Sequence, residues 1–430
     1  MEESIEEKPP KHDLENPRIP IEVLAQILCS LDSIRTVHHL IKASPRIYRV
    51  FCTRREEILR MTLCRELDPS ILKDAYQVAR ATPFRLMHRV RTEIVAFCET
   101  LDDEVDLTSI PILFTMCRNQ GTVRYFTEVF AEHKLTALER FTQFIATEDH
   151  QPTSSPMQVS LAEEGRIQRA FYRLELFGCL FSSGTAAGTR YCAWVPPDAT
   201  LFTTNRIQEL FLPRYRSWEV EEIASVREFL IQGLVTIINI AEDAYFKELL
   251  SHRRLEGGPT ECEPEEWKRK LVAAGIGLRF IARLVHAEVE EQRTMISTNS
   301  FTEQTLYSTL QVDPLGRGPI LPADVPVFPG TDDLNKNNYM WFWAGCANPH
   351  DGEPWNKDIR FEMRYIGYVF WDWIRVKDCG LVNENPEIAT GGYSSEFIIN
   401  AIDQLNDRSV EERLRNETDY AINPNRSHRL

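Results

Sequence analysis

The chain has 430 residues, 43% of them hydrophobic and 26% charged, an ordinary globular composition with length enough for two or three domains. Its formal net charge of −15 at pH 7 argues against nucleic acid as the main ligand, because affinity for a phosphate backbone comes from surplus Lys and Arg. The local basic cluster Arg85, His88, Arg89 and Arg91 reads as a solvated helix face. The most apolar run, Phe229 to Ile240, is broken by Gln232, Gly233, Thr236 and Asn239 and falls short of the roughly 18 apolar residues needed to cross a bilayer. Met1 to Lys11 is rich in Glu, Lys and Pro and lacks the apolar core of a signal peptide. The ten cysteines are scattered, with no Cys-x-x-Cys pair, as expected of small buried thiols in the cytosol or nucleus. No ligand spacing suggests zinc, and no His-Glu-x-x-His motif occurs, so neither a metal nor a cofactor is expected.

Residues 1–16 read as a disordered acidic tail. A first helix is expected from Pro20, with Glu22 in the first turn where negative charge suits the helix dipole, and with Val23, Leu24, Ile27, Leu28 and Leu31 forming an apolar stripe. Asp32 and Ser33 are candidate N-caps of a second helix carrying Ile34, Val37, Leu40 and Ile41. Ser44-Pro45 repeats the start signal for a third, with Ile47, Tyr48, Val50 and Phe51 on its apolar side. Three short helices in about forty residues bury only a modest core, so the module calls for support from the rest of the chain or from a partner.

The pattern stays helical from Arg54 to about Thr147, followed by a loop over Glu148–Pro156 and helical spacing again from Glu163 to Phe181. A Gly/Ser/Thr/Ala linker at Phe181–Arg190 precedes a long helix from Trp218 or Glu219 to Leu250. After a polar gap at Glu256–Pro264, another helix is expected from Glu265 to about Val289. Prolines and glycines between Val312 and Pro354 forbid long regular elements. Phe361 to Val376 is helical or extended, and Glu396–Leu405 and Val410–Asp419 are short helical pieces. No repeat of fixed period is present and strand signals are scarce.

The run Ile19-Pro20-Ile21-Glu22-Val23-Leu24-Ala25-Gln26-Ile27-Leu28-Cys29-Ser30-Leu31, followed by Ser44-Pro45-Arg46-Ile47-Tyr48, resembles the F-box family, which opens Leu-Pro-x-Glu and ends on a Ser-x-x-aromatic segment. Ile19 stands in place of the usual Leu, and Tyr48 where Trp is common. The resemblance covers about a tenth of the chain. Glu209–Tyr215, Trp218–Ile223 and Tyr365–Asp372 also resemble segments of fungal F-box-like proteins of unassigned role. The resemblance implies an F-box over residues 17–60 that docks onto the adaptor of a cullin-based (SCF-type) ubiquitin ligase, with Ile19, Pro20, Glu22, Val23, Leu24, Ile27, Leu28, Leu31 and Tyr48 in the adaptor interface. Residues 61–430 would then form an irregular all-helical body with Pro/Gly-rich loops that holds an unknown target protein.

Enzyme signatures are missing. Gly184–Thr189 lacks the Lys of a phosphate loop, no Gly-x-Ser-x-Gly elbow occurs, and the pairs Glu163-Glu164, Glu221-Glu222 and Glu411-Glu412 read as solvated helix faces. The aromatic concentration from Tyr339 to Trp373 reads first as core, with Trp341 and Trp343 as candidates for a target-binding surface. The fold expected is mostly α, and the function expected is protein binding without catalysis. Two alternatives stay open. One is a helical scaffold whose F-box-like stripe is structural and wholly buried; the other is an enzyme with a cryptic site in the C-terminal body.

Overall fold

The computed structural model of the chain describes residues 19–86, 90–101, 104–145, 158–181, 202–252, 277–298 and 363–379. Of these 85% are helical and none is in a strand, which makes the fold all-α at that level. The acidic tail, the loop at 148–156, the polar gap at 256–264, the proline-rich region and the helical pieces expected after 395 lie outside the described residues. The chain divides into two compact units, Met1–Tyr125 with Phe171–Leu210 and Thr236–Leu306, and Phe126–Ala170 with Phe211–Val235 and Tyr307–Leu430.

In the first unit, α1 (Ile21–Ser30) follows an extended Pro20 and turns Leu24, Ala25 and Leu28 inward. α2 (Ile34–Ala43) is capped by Ser33, whose hydroxyl accepts the Arg35 N–H at 3.1 Å. α3 (Pro45–Glu66) starts on Ser44, whose hydroxyl accepts the Ile47 N–H at 3.1 Å, with Pro45 in the first turn. Leu24, Ala25, Leu28, Val37, Ile47, Val50 and Ile58 close a small core, each large aliphatic side chain contributing roughly 2 kcal/mol by leaving water. α3 bends at Arg54 (φ −129°, ψ 29°) and continues through Glu66, whose carboxylate accepts the Ile34 N–H at 2.8 Å and so caps α2 from a distance. The same carboxylate accepts from Gln120 at 3.2 Å, which ties the three helices to α6 (Ile110–Ile145). Tyr172 donates to Gln120 at 2.6 Å and extends this buried chain of hydrogen bonds.

The stretch from Arg54 onward, expected as continuous helical pattern, is punctuated. Asp68-Pro69 ends α3 and starts α4 (Pro69–Leu86), the Asp68 carboxylate accepting the Ser70 N–H at 2.9 Å. α5 (Arg91–Glu99) packs on α4 through Phe84 and Phe97, whose rings stand 5.2 Å apart edge to face, and through Gln77, which donates to the Leu101 carbonyl at 2.8 Å. α7 (Leu161–Phe181) and α9 (Ser217–His252) match the expected helices, the latter starting beside the predicted Trp218. α8 (Thr204–Phe211) lies between them in sequence. The helix expected from Glu265 to about Val289 is described from Gly277 on, where α10 (Leu278–His286) stops short of the expected end and a separate α11 (Val289–Thr298) begins there. Ala287 is extended, and the Gln292 side chain donates to the Leu284 carbonyl at 3.0 Å, capping α10 where the chain turns.

In the second unit the Phe361–Val376 stretch, expected as helical or extended, is in its described part, from Met363 on, two short 3₁₀ turns and a six-residue α12 (Trp373–Asp378). The turns, Arg364–Ile366 and Tyr368–Phe370, are hinged on Gly367 at φ 68°. A Cβ there would sit 3.1 Å from Cβ of Lys134, so a side chain is opposed by both conformation and space. Tyr368, Phe370 and Trp371 are buried, and Phe370 meets Phe130 edge to face at 5.0 Å, so this part of the aromatic stretch is core.

Candidate functional site

The residues expected to dock an adaptor do not share one environment. Leu24 and Leu28 are 0% exposed, inside the first unit's own core; Ile19, Ile27 and Leu31 pack partly against it. Val23 is 40% exposed and Tyr48 53%, while Pro20 and Glu22 are also exposed. Ile21, not among the expected residues, is 53% exposed. It falls seven positions before Leu28, on the same side of the helix, so the core stripe runs on past the core at the first turn of α1. Ala25, also missed, takes a core position, and the buried face is rotated away from the Val23 side. Arg46 and Arg65 of α3 donate to the carbonyls of Ile19 and Cys29, one near each end of α1. Trp341 and Trp343 lie outside the described residues.

A second cluster, in the other unit, was not anticipated. Of the acidic pairs read as solvated faces, Glu163, Glu221 and Glu222 are interior, at 0%, 4% and 0% exposure; Glu164 is half-buried, and Glu411-Glu412 lies outside the described residues. Ser160 and Glu163 form a reciprocal capping box at the start of α7, with Glu163 N–H to Ser160 hydroxyl at 3.1 Å and Ser160 N–H to Glu163 carboxylate at 2.9 Å. Glu163 also accepts from Arg375 at 2.7 and 2.6 Å and from the Asp372 N–H at 2.9 Å. Arg166 pairs with Asp372 and donates to the Phe370 carbonyl at 3.0 Å. Arg364 grips Glu221 with two parallel bonds of 2.6 and 2.8 Å. Burial works against the Arg364 charge, yet Glu221 more than compensates and holds its pKa above the ordinary value. Arg169 donates to both oxygens of Glu222 at 3.1 and 3.0 Å.

Lys134 is the exception to this matching. It is 1% exposed, and its amine donates to the Tyr365 carbonyl at 3.1 Å. The ring centres of Phe130, Phe229 and Tyr365 stand 5.7, 5.8 and 5.8 Å away. Burial pushes its pKa down to about 7, with Glu228 opposing the shift.

The sequence signal that was missed is the capping-box pattern Ser160-Leu161-Ala162-Glu163; Arg364 and Arg375 meet their carboxylates across long stretches of sequence that no local pattern connects. Among the described residues no group of three His, Cys, Asp or Glu side chains is placed to hold a metal ion, and no helix is long and apolar enough to cross a membrane. Compared with known protein families, curated proteins and solved structures, the chain matches none.

Proposed function

We propose that the chain is a non-catalytic helical scaffold that acts by binding other proteins, and that the F-box-like stripe of α1 is first of all a structural element. The observation that carries this reading is the complete burial of Leu24 and Leu28 in the chain's own core. These two side chains are not free to act as the knob of a helix-in-groove interface, whereas Val23, Ile27 and Leu31 are only partly covered. The pairing of Glu163, Glu221, Glu222 and Asp372 with arginines supports the same reading, since these interior carboxylates serve to hold segments together.

A second reading is favoured by the exposure of Ile21, Val23 and Tyr48. In it the N-terminal helices dock onto the adaptor of a cullin-based ubiquitin ligase, as the F-box resemblance implies, and residues 61–430 present a target protein. The contact would then use Ile21, Val23 and Tyr48, with Pro20 and Glu22 beside them, rather than Leu24 and Leu28. Location in the cytosol or nucleus belongs to both readings and agrees with Cys29, Cys52, Cys64, Cys98, Cys117, Cys179 and Cys379 being thiols.

A pull-down of the full chain with purified adaptor separates the two. Capture by the native protein that is lost in Val23→Asp/Tyr48→Ala, with circular dichroism and melting unchanged, establishes docking. No capture by the native protein removes the ligase reading and leaves the scaffold.

A further inference from the structure

α10 carries exposed arginines that form no ion pair among the described residues; the carboxylate that acts on Arg279, Glu175, already pairs with Arg85. Leu278, Ile281 and Leu284 face inward, at 2%, 1% and 0% exposure, while Arg279, Arg283 and His286 are exposed at the four- and three-residue spacing of one helix side. The helix is firmly seated. Glu175 accepts the Leu278 N–H at 2.7 Å and pairs with Arg85, whose guanidinium lies against Gly277. Near its other end the rings of His286 and Tyr125 of α6 stand 5.0 Å apart.

Arg118 precedes Tyr125 by the same seven residues that separate Arg279 from His286. Two turns on each helix span about 10 Å, so neighbouring helices running in the same sense bring the two guanidiniums together. Arg118 is indeed the charge that acts most strongly on Arg279, whose pKa is lowered first by burial and then by Arg118, with Arg85 and Arg283 adding to the effect and Glu175 opposing it.

Left alone, this arrangement is unfavourable. Like charges four residues apart on a helix repel, and Arg279 in the first turn meets the positive end of the helix dipole. Carboxylates are not scarce, since the chain has 64 Asp and Glu against 49 Lys and Arg. Elsewhere Arg85, Arg166, Arg169, Arg173, Arg364 and Arg375 each pair with one.

We propose that Arg118, Arg279 and Arg283, with His286 at the end of the stripe, form a docking surface for an acidic peptide segment of a partner protein. The rise from Arg279 to Arg283 is about 6 Å, close to the spacing of alternate side chains on an extended peptide. Carboxylates at every second residue therefore meet successive guanidiniums. The chain's net −15 opposes any polyanion, most of all a long nucleic-acid backbone that runs on beyond this patch; a short acidic segment confined to it meets less of that repulsion. The surface shares no residue with the docking face of α1–α3, so the failure of either proposal leaves the other standing.

The test is fluorescence anisotropy of the full chain with a labelled peptide of alternating Glu and Ser. The native protein is expected to bind at low salt and to release as salt rises. Arg279→Gln/Arg283→Gln is expected to weaken binding about tenfold while melting at the same or a higher temperature, because the repulsion is relieved. Arg118→Gln, alone, serves as a milder variant should the double variant fold poorly, and is expected to weaken binding in the same direction. Absence of binding by the native protein, equal affinity in folded variants, or equal binding of a Gln-Ser peptide overturns the proposal. So does tighter binding of an oligothymidylate of matched charge, which would make the surface a nucleic-acid contact.

Discussion

Replacing Lys134 by Met isolates the energetic consequence of enclosing an amine among Phe130, Phe229 and Tyr365. The group has an ordinary pKa of 10.5 and one of about 7 in the fold. Between those values the unfolded chain binds the proton and the fold does not, so stability rises with pH by about 1.4 kcal/mol per pH unit. Below about pH 7 both states are protonated and the penalty is constant, about 5 kcal/mol at most. Above the unfolded value it vanishes. Met keeps the stem's packing against Gly367 and the rings, but leaves the Tyr365 carbonyl without its donor, a loss of about 1–3 kcal/mol. The variant is therefore expected to exceed the native protein by about 2–4 kcal/mol near pH 6, with the gap closing toward pH 9.5. Glu228 is the carboxylate that opposes the shift. Urea unfolding followed by circular dichroism over this pH series measures the gap. A gap that does not change with pH would refute the reasoning, because it would mean that the buried amine keeps its proton.

Other substitutions probe the remaining features. Leu24→Ala is expected to destabilise by about 2–5 kcal/mol and Val23→Ala by less than about 1, a contrast that chemical denaturation of the two variants reads directly. Gly277→Ala should cost about 1–3 kcal/mol, because at φ 117° a side chain is strained whatever the space, and the Arg85 guanidinium would have to shift from the Cβ; a melting temperature equal to the native one would contradict this. Glu163→Gln removes the charge that Arg375 binds and upsets the capping box, for an expected loss of about 3 kcal/mol in thermal or urea unfolding. Restoring much of that loss by adding Arg375→Gln would show that the penalty lies in the arginine left unpaired.

The parts of the fold legible in the sequence are those with a local physical cause. Ser33 and Ser44 cap where hydroxyls precede apolar periodicity, and Pro45 stands where its missing N–H has no role. Long periodic segments announce α7 and α9. What was not legible depends on partners remote in sequence. Glu66 reads as one more polar residue at a helix end, yet it caps α2 and joins α3 to α6. Glu221 and Glu222 look solvated because adjacent helical positions with charge commonly are; Arg364 and Arg169 make them interior. Charge type reveals that a carboxylate needs a partner, not whether that partner is water or an arginine more than a hundred residues away.

The orientation of α1 decides what any partner would meet at the N-terminal helices. Apolar residues at Val23, Leu24, Ile27, Leu28 and Leu31 define a stripe broader than a small three-helix core can take in. The helix turns Leu24, Ala25 and Leu28 inward, leaving Val23 on the far side and Ile21 beyond the core's edge. A docking partner would therefore contact residues that contribute little to folding, and binding would be separable from stability. That is why Val23→Asp, set beside Tyr48→Ala, is a cleaner probe than any change at Leu24: a lost contact at Leu24 reports a damaged core, whereas at Val23 it reports a lost partner.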